Sequence, residues 1–390
     1  MIQYGKHHID ESDIQAVVDT LRGKALTQGP KVEEFEHAIA EYVGAKYAVA
    51  VSSGTAGLHL AALAAGMGPN KTLITSPITF VASANAALYS GGRPIFADID
   101  PETINLSPER LEQTLKTDPA TSVVVPVHFA GLPCDMHEIK LISDRAGAVV
   151  IEDAAHALGA SYLNGQKVGS CCHSLMTVFS FHPVKAIAAG EGGMITTNDH
   201  KIYRRLLRLR AHGINKLDDI FELPKEAYSK GEKNNWYYEM QELGFNYRIT
   251  DIQCALGNSQ FKKIHSFIER RRKIVREYDQ AFKDMEFCRP AQKGGRSLSG
   301  HHLYVLRIKF SELEISRREL MQKLKLKGIG TQVHYIPVPA HPYYRRLGFD
   351  PAGYPQALSF YEEALSIPLY YDLSDTEQNL VIEEVKELVS

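Results

Sequence analysis

Short apolar runs alternate with helical patterns between residues 47 and 197, and this alternation limits the folds open to the chain. Helical stretches, such as residues 80–89 and one from Met136, separate most of the runs. Strands alternating with helices form a mostly parallel sheet covered on both faces, so the predicted fold class is α/β. The predicted strands are residues 47–51, 73–75, 94–97, 122–127, 148–152, 176–181 and 194–197.

The chain is predicted to hold two domains that meet near residue 250. Residues 1–250 form the large domain, with an N-terminal arm over about residues 1–12. Residues 251–390 combine long charged helices with short strands, at 302–310 and 330–335, which indicates a smaller α+β domain. Residues 216–242 are charged and aromatic, which is typical of a flap or a partner-contacting loop.

The composition is that of an ordinary globular protein, with 23% charged residues and a formal net charge of −2. This balance gives no reason to expect nucleic acid or an anionic membrane as a partner. No run of about 18 apolar residues and no apolar signal core occur, so neither a membrane span nor secretion is expected. The five cysteines form no C-x-x-C pair, which disfavours a disulfide framework or a metal site and favours the cytoplasm.

Lys185 follows the predicted strand MTVFSF and precedes the small residues AIAAGEGG. Pro183 ends the pairing of that strand, because proline has no N–H to donate. A lysine becomes a nucleophile when burial or a neighbouring cation lowers its pKa. A reactive amine fits this position, and a solvated lysine on a loop fits it equally well.

Two other segments place polar groups beside strand ends. Asp153 ends the buried strand VVIED, and ligands of open α/β sheets bind beyond such ends. Glu152 and Asp153 point to opposite sides of the strand, so one of them can face a ligand. Residues 51–57, VSSGTAG, open a helix whose free N–H groups and positive dipole can bind phosphate. A helix-capping aspartate and a simple capped helix are the alternatives.

Together, a phosphate cradle, a carboxylate at a strand end and a lysine at a later strand end match the requirements of pyridoxal phosphate (PLP). The lysine would bond to the cofactor, and the aspartate would pair with the protonated pyridine nitrogen. The sequence lacks the signatures of competing classes, namely the G-x-G-x-x-G turn, the G-x-x-x-x-G-K-[ST] loop, the H-E-x-x-H pair and the G-x-S-x-G elbow.

The sequence resembles the DegT/DnrJ/EryC1/StrS family of PLP-dependent nucleotide-sugar aminotransferases over nearly its whole length. The resemblance implies fold type I, the aspartate aminotransferase-like fold, and a homodimer with shared active sites. AIAAGEGG departs from the form K-x-I-T-T-G-E-G-G, although the lysine is kept. The motifs that carry the resemblance are SSGTAGLH, SPITFVASANA, EDAAHALGASY, VFSFHPVKAIAAGEGGMITTND, RAHGI and LGFNYRITDIQCALG.

The resemblance also implies roles for residues around the cofactor. Lys185 forms the Schiff base and shuttles protons, Asp153 pairs with the pyridinium, and His156 lies near the phenolic oxygen of the ring. Phe80 stacks on the ring face. The residues implied in phosphate binding are Thr55, Ala56 and Ser180, joined by Asn246 from the other subunit.

Within the family, YGKHHIDESDIQAVVDTLRGKALTQGP, SFHPVK and QVHYIPV are most similar to the C4 aminotransferases of pseudaminic acid biosynthesis. This likeness implies transfer of the amino group of L-glutamate to C4 of a UDP-linked 4-keto-6-deoxy-N-acetylhexosamine. Arg248 fits either the donor carboxylate or a structural salt bridge. The residues implied in nucleotide-sugar binding are Tyr4, Ala25, Leu26, Thr27, Gln28, Asn246, Gln332, Val333, His334 and Tyr335.

Four alternatives stay open at this point. Another nucleotide-sugar 3- or 4-aminotransferase of the family would act on a dTDP-, GDP- or other UDP-linked keto sugar. A sugar dehydratase of the same fold replaces the lysine with histidine, so Lys185 argues against it. A non-catalytic PLP-fold binding or regulatory protein is disfavoured by the complete pair of Lys185 and Asp153. An NAD-dependent sugar enzyme is disfavoured by the missing glycine fingerprint.

Overall fold

The computed structural model of the protein describes residues 1–216 and 220–389. Residues 217–219 of the predicted 216–242 segment, and Ser390 of the predicted second domain, lie outside the described residues. The helices are α1 (Glu11–Arg22), α2 (Pro30–Val43), α3 (Gly54–Ala64), α4 (Ala82–Tyr89), α5 (Pro108–Thr117), α6 (Met136–Ala146), α7 (His200–Arg210), α8 (Pro224–Ala227), α9 (Asp251–Phe261), α10 (Ile264–Phe282), α11 (Arg317–Leu326), α12 (Pro342–Arg346), α13 (Pro355–Glu363) and α14 (Asp375–Val389). The strands are β1 (Tyr47–Val51), β2 (Thr72–Thr75), β3 (Arg93–Phe96), β4 (Thr121–Val125), β5 (Val149–Asp153), β6 (Met176–Ser180), β7 (Gly193–Thr197), β8 (Ile214–Asn215), β9 (Tyr228–Ser229), β10 (Glu232–Lys233), β11 (Glu239–Met240), β12 (Cys288–Pro290), β13 (Tyr304–Ile308) and β14 (Ala364–Ile367).

A seven-stranded sheet in the order β1–β7–β6–β5–β4–β2–β3 forms the centre of the molecule. The strands from β6 to β3 pair in parallel, whereas β7 runs antiparallel to both β1 and β6. Their Val- and Ile-rich sequences are buried along nearly their whole length, as in other sheets that carry helices on both faces. The predicted α/β class with a mostly parallel sheet is therefore confirmed.

The alternation of side chains along each strand divides the interior into two apolar cores. Val123 and Val124 are neighbours in β4, yet Val124 packs with Phe35 of α2 and Val123 with Leu60 of α3. Successive residues of a strand face opposite sides of the sheet, so α2 and α3 must cover opposite faces. The parallel strand ends are thereby held rigidly at one edge of the sheet.

A second, antiparallel sheet in the order β12–β13–β14 lies in the C-terminal half of the chain. It packs with α10, α11 and α14 around Tyr278, Leu306 and Leu320. The strand predicted at residues 330–335 is wrong: there, Gln332 forms an isolated bridge to Ser366. Two prolines follow in this segment, and proline cannot extend a ladder of hydrogen bonds. The division into domains at residue 250 stays a prediction.

The N-terminal arm runs from the segment that follows α11 to the loop that follows β6. The N–H of Ile2 donates to Gly328 O, and the N–H of Gly330 donates to Ile2 O, both at 2.7 Å. Further along, Gly5 lies against the side chain of Val184, the neighbour of Lys185. Within the described ranges, no helix combines the length and the apolar character needed to cross a membrane.

Candidate active site

The N-terminus of α3 lies directly against the end of β6. A Cβ at position 54 would stand 2.9 Å from Ser180 Cβ, so the contact requires Gly54. A Cβ on Gly57, one turn later, would stand 2.8 Å from Val178 Cγ1. The glycines of the SSGTAG segment therefore bring the amides of the first turn of α3 beside Ser180.

Lys185 lies in a closed loop that follows β6. Its N–H donates to His182 O at 2.8 Å. The backbone of Phe181, at the start of the loop, is hydrogen-bonded to Ala189 and Gly192, at its end. Burial lowers the pKa of Lys185 to about 8, and the nearby carboxylate of Asp153 opposes this effect. The loop thus holds an amine that is partly neutral near physiological pH.

Asp153 ends β5 and is buried, but its carboxylate is well provided with donors. Oδ2 accepts a 2.6 Å hydrogen bond from Ser83 Oγ, and Oδ1 accepts a 3.1 Å bond from the N–H of Ala155. Ser83 also shares a 2.7 Å hydrogen bond with Thr79. These contacts fix the carboxylate in an orientation suited to a cationic ring nitrogen.

Glu152 points to the other side of β5, as the alternation along the strand predicts. It forms a 2.8 Å contact with His128 Nε2 and accepts hydrogen bonds from Tyr162 and Thr177. Glu152 and His128 are both fully buried. Asp153 is therefore the acidic residue of this pair that lies on the side of Lys185.

His156 has partners at both ring nitrogens. The N–H of Ala130 lies 3.3 Å from Nδ1, and Tyr335 Oη lies 3.1 Å from Nε2. An N–H directed at Nδ1 assigns the proton of the neutral ring to Nε2. Burial, assisted by the charge of Lys185, lowers the pKa of His156 well below its ordinary value. His156 is thus a neutral, fixed hydrogen-bonding group beside the amine.

Phe80 presents a large apolar surface at the same place. The side chain is 59% exposed, and its ring centroid lies 6.4 Å from that of Tyr335. An exposed aromatic plane next to buried polar groups suits a planar ligand, which would cover it.

The predicted phosphate cradle is only partly available. Thr55 and Ser180 are half-buried at the N-terminus of α3, but the N–H of Ala56 donates to Ser53 Oγ at 3.1 Å. The Ser53 cap therefore competes for the Ala56 amide. The Thr55 hydroxyl, the Ser180 hydroxyl and the dipole of α3 remain suited to an anion.

Asn246 is exposed and joins the backbone of Ala211 in an isolated bridge. Its neighbour Tyr247 accepts a 2.8 Å hydrogen bond from the N–H of Ser52, at the end of β1. The structure therefore places Asn246 on the surface, on a segment tied to the strand that precedes α3.

The residues predicted to contact a sugar nucleotide form two groups. Thr27 bridges to Thr250, and the N–H of Asp251 donates to Leu26 O, so the loop of Ala25, Leu26, Thr27 and Gln28 is tied to the start of α9. The second group is closer to the amine: Tyr4 packs against His334 at 5.4 Å between ring centroids, and Val333 and Gln332 precede it. His334 Nδ1 lies 2.8 Å from Ser366 Oγ, and burial lowers the pKa of His334 to about 4.

A cleft of about 710 Å³ beside α2 is separate from the strand-end site. Gln28, Arg210, His212 and Arg248 are among the residues that line it, whereas Lys185 is not. Arg210 is paired with Glu36 at 2.6 Å, and the other cations give the cleft a positive character.

Two residues of the site, Ser83 and His302, were missed by sequence reasoning. Ser83, in SANA, holds Asp153, and His302, in SGHHLY, lies 3.4 Å from the amine of Lys185. Both lie in segments whose polar residues interrupt an apolar pattern, which was the available signal. Neither partner could be inferred, because each contact joins residues far apart in the sequence.

A carboxylate at a strand end, a buried amine, a helix N-terminus and an exposed aromatic plane fit PLP, and with this sheet they define a fold-type I PLP-dependent transferase. The model of the DegT/DnrJ/EryC1/StrS aminotransferase family matches residues 7–386. The chain belongs to this family and is a PLP-dependent aminotransferase.

The similarity to individual relatives extends over almost the full length of the chains. The spore coat polysaccharide biosynthesis protein SpsC of Bacillus subtilis is 39% identical, with 100% of this chain and 97% of SpsC covered. The UDP-4-amino-4,6-dideoxy-N-acetyl-beta-L-altrosamine transaminase of Campylobacter jejuni strain 81-176 is 37% identical, with 96% and 94% covered.

Solved structures show the same fold. The PMP-form of Spr1654 from Streptococcus pneumoniae superposes with a TM-score of 0.88 at 31% identity, covering 100% of this chain and 99% of that one. Helicobacter pylori PseC, an aminotransferase involved in the biosynthesis of pseudoaminic acid, gives a TM-score of 0.87 at 30% identity with the same coverage.

Proposed function

We propose that the protein moves the amino group of L-glutamate to C4 of UDP-2-acetamido-2,6-dideoxy-beta-L-arabino-hexos-4-ulose, a step of pseudaminic acid biosynthesis. The observation that carries the reaction type is the meeting of Lys185, Asp153 and His156 at one edge of the sheet. The choice of sugar is supported by the likeness to the Campylobacter transaminase and to PseC.

Lys185 is the residue that moves protons in this proposal. Because its pKa is lowered to about 8, the amine can accept a proton and return it near neutral pH. When bound, PLP supplies an electron sink for the carbon that carries the amino group. The same lysine serves both half-reactions, first with glutamate and then with the keto sugar.

The other side chains orient the reacting groups. The Asp153 carboxylate, fixed by Ser83 and Ala155, is positioned to pair with a protonated ring nitrogen. His156 and Tyr335 form one hydrogen-bonded unit beside the amine, and Phe80 offers the aromatic face. Thr55 and Ser180 would hold the phosphate, with Ala56 joining if its amide leaves the Ser53 cap.

The sugar nucleotide would be held by two groups of residues, one beside the amine and one at the cleft beside α2. Tyr4, Gln332, Val333, His334 and Tyr335 lie on the side where the N-terminal arm passes Val184. The proposed contact of residues 25–28 with the sugar nucleotide is supported by the cleft beside α2, which Gln28 lines. Its Arg248 and Gln28 offer a cation and an amide to a diphosphate.

We further propose that the active sites are completed in a homodimer, with Asn246 donated by the second copy. Asn246 is exposed in the single chain, so its side chain is accessible to a second copy of the protein. Large apolar side chains are exposed in the segment that precedes Asn246 in the sequence, including Trp236 at 76% and Leu243 at 74%. Such a concentration of exposed apolar surface is typical of an interface.

The test is the visible absorption spectrum of the purified protein with PLP, before and after L-glutamate. We expect a band of the lysine-bound cofactor that fades on adding glutamate, with release of 2-oxoglutarate, and returns with the UDP-linked 4-keto sugar. Lys185→Ala should give a folded protein without turnover. A band that glutamate does not change would contradict the aminotransferase half-reaction, and turnover of the variant at the parental rate would contradict the role of Lys185.

A second candidate function is amination of another nucleotide-linked keto sugar. It is supported by the relative SpsC, which is named for spore coat polysaccharide biosynthesis and whose identity of 39% exceeds the 37% of the Campylobacter transaminase. The same spectrum distinguishes the two candidates when dTDP-, GDP- and other UDP-linked keto sugars are added in turn. If one of these other keto sugars restores the band and the proposed UDP-linked sugar does not, the proposed substrate is contradicted.

A further inference from the structure

His302 is a buried residue of the site for which the proposed mechanism has no task. It lies in the segment SGHHLY, just before β13, and its Nε2 is 3.4 Å from Lys185 Nζ. Its ring centroid is also 4.3 Å from that of His156. The amine of Lys185 is therefore close to two neutral imidazoles from different parts of the chain.

The other nearby histidines already have hydrogen-bond partners. Both ring nitrogens of His156 are engaged, by Ala130 and Tyr335, and His334 Nδ1 contacts Ser366. His302 Nε2 instead faces the lysine. Of these three rings, His302 is the one placed to bond to the amine.

The backbone of His302 is anchored by two independent contacts. Its N–H donates to Ala130 O at 2.8 Å, and its carbonyl accepts from Arg271 at 3.3 Å. Arg271 is 2% exposed and also donates to the carbonyls of His301 and Leu369. A buried guanidinium directed at carbonyl groups fixes this segment rigidly, and with it the ring of His302.

The unpaired nitrogen of His302 indicates where the proton of its ring lies. Nδ1 is buried and has no hydrogen-bond partner among the described residues. A buried N–H without an acceptor is rarer in proteins than an acceptor without a donor. The proton therefore belongs on Nε2, which faces Lys185, and Nδ1 keeps its lone pair.

We propose that His302 is a positioning residue for Lys185, whose free amine accepts a hydrogen bond from His302 Nε2–H through its lone pair. The bond holds the amine while it is not joined to the cofactor and favours its neutral form. The charged or titratable groups around the pair are Asp153, facing Lys185, and Lys185, His156, His334 and Arg271, facing His302. The inference rests on the proposed role of Lys185 but not on the identity of the sugar.

The test is nitrogen NMR of the cofactor-free protein with 15N-labelled histidine, so that it does not depend on turnover. We expect His302 to carry its proton on Nε2 above about pH 8. Its Nε2 signal should shift as the pH falls through about 8, because an ammonium group has no lone pair to accept the bond. In Lys185→Met this shift should vanish. His156, whose Nδ1 accepts from the N–H of Ala130, should keep its proton on Nε2 in that variant.

A proton found on Nδ1 above about pH 8, or a His302 signal that is the same in Lys185→Met, would overturn the proposal. Kinetics provide a second readout. His302→Leu should lower kcat about tenfold with little change in KM, whereas His302→Gln, which keeps an N–H donor, should stay within about threefold. Parental kcat in His302→Leu would also overturn the proposal, and Lys185→Met serves if neither His302 variant folds.

Discussion

Ser83 Oγ donates a 2.6 Å hydrogen bond to Asp153 Oδ2, and both residues are buried. Ser83 lies in α4 and Asp153 at the end of β5, so the bond links a helix on one face of the sheet to the strand end that faces Lys185. The hydrogen bond from Ser83 to Oδ2 restricts rotation of the Asp153 carboxylate. The orientation of Asp153 therefore depends on the packing of α4.

The first prediction is that Ser83→Ala weakens cofactor binding. With one donor lost, Asp153 is held by Ala155 alone, and the dissociation constant for PLP should rise about tenfold. The measurement is a spectroscopic titration of the cofactor-free protein. Ser90→Ala is the matched control: Ser90 is buried just beyond the same helix, but its hydroxyl bonds only to Ala86 O. Equal losses in the two variants would attribute the effect to the helix.

The second prediction concerns the pH dependence of the Lys185 amine. Its pKa is lowered to about 8, against about 10.4 for an unperturbed lysine, so the neutral form should predominate above pH 8. In the cofactor-free protein, labelling of Lys185 by an amine reagent should fall about tenfold per pH unit below that midpoint. Peptide mass spectrometry measures this rate, and a midpoint near 10 would contradict the prediction.

The third prediction concerns the effect of the Asp153 charge on the pKa of Lys185. The carboxylate raises the pKa of Lys185 against the effect of burial. Asp153→Asn should therefore move the labelling midpoint of Lys185 further down. An unchanged or higher midpoint would mean that the two groups do not interact in the folded protein.

The fourth prediction is that Gly193→Ala destabilises the fold and the site together. A Cβ at this position of β7 would overlap the carbonyl of Ser53, which caps α3. Moving that cap should lower the free energy of unfolding by about 1–3 kcal/mol and weaken PLP binding. Gly68→Ala is the control, because its Cβ would meet open space. Chemical denaturation measures both variants, and equal stabilities would refute the argument.

The fifth prediction tests shared active sites by mixing two inactive chains. If Asn246 serves the partner's site, a dimer of one Lys185→Ala chain and one Asn246→Ala chain keeps one intact site. Random mixing makes half of the dimers mixed, so about a quarter of parental 2-oxoglutarate release should return. Each variant alone is the reference. Activity no higher than these references would show that each site is built from one chain.

The sequence allowed prediction of those features whose cause is local. The α/β alternation follows from spacing and composition, and the carboxylate at the end of β5 follows from the strand pattern. The order of the strands did not follow, since β7 enters between β1 and β6 through contacts distant in sequence. The strand expected at residues 330–335 failed for a tertiary reason, because the bridge of Gln332 to Ser366 is isolated and is not continued into a ladder of strand pairs.

The site shows the same limit. Lys185 and Asp153 were predicted from strand ends, and the roles of His156, Phe80 and Asn246 came from the family resemblance. The contact of His302 with Lys185 and that of Tyr335 with His156 join distant segments, so a single sequence gave no evidence of them. The use of the Ala56 amide by Ser53 depends on cap geometry that composition does not determine.

The bonds of Ile2 to Gly328 and Gly330 have a consequence for the order of events during synthesis. The ribosome releases residue 2 first, but its partners leave the exit tunnel only when most of the chain has been made. Until then the arm, including Tyr4, lacks the backbone groups to which it bonds. In the same way, β1 lacks its partner strand until β7 has been made. The surroundings of Lys185 are therefore among the last parts of a newly synthesised chain to reach their final structure.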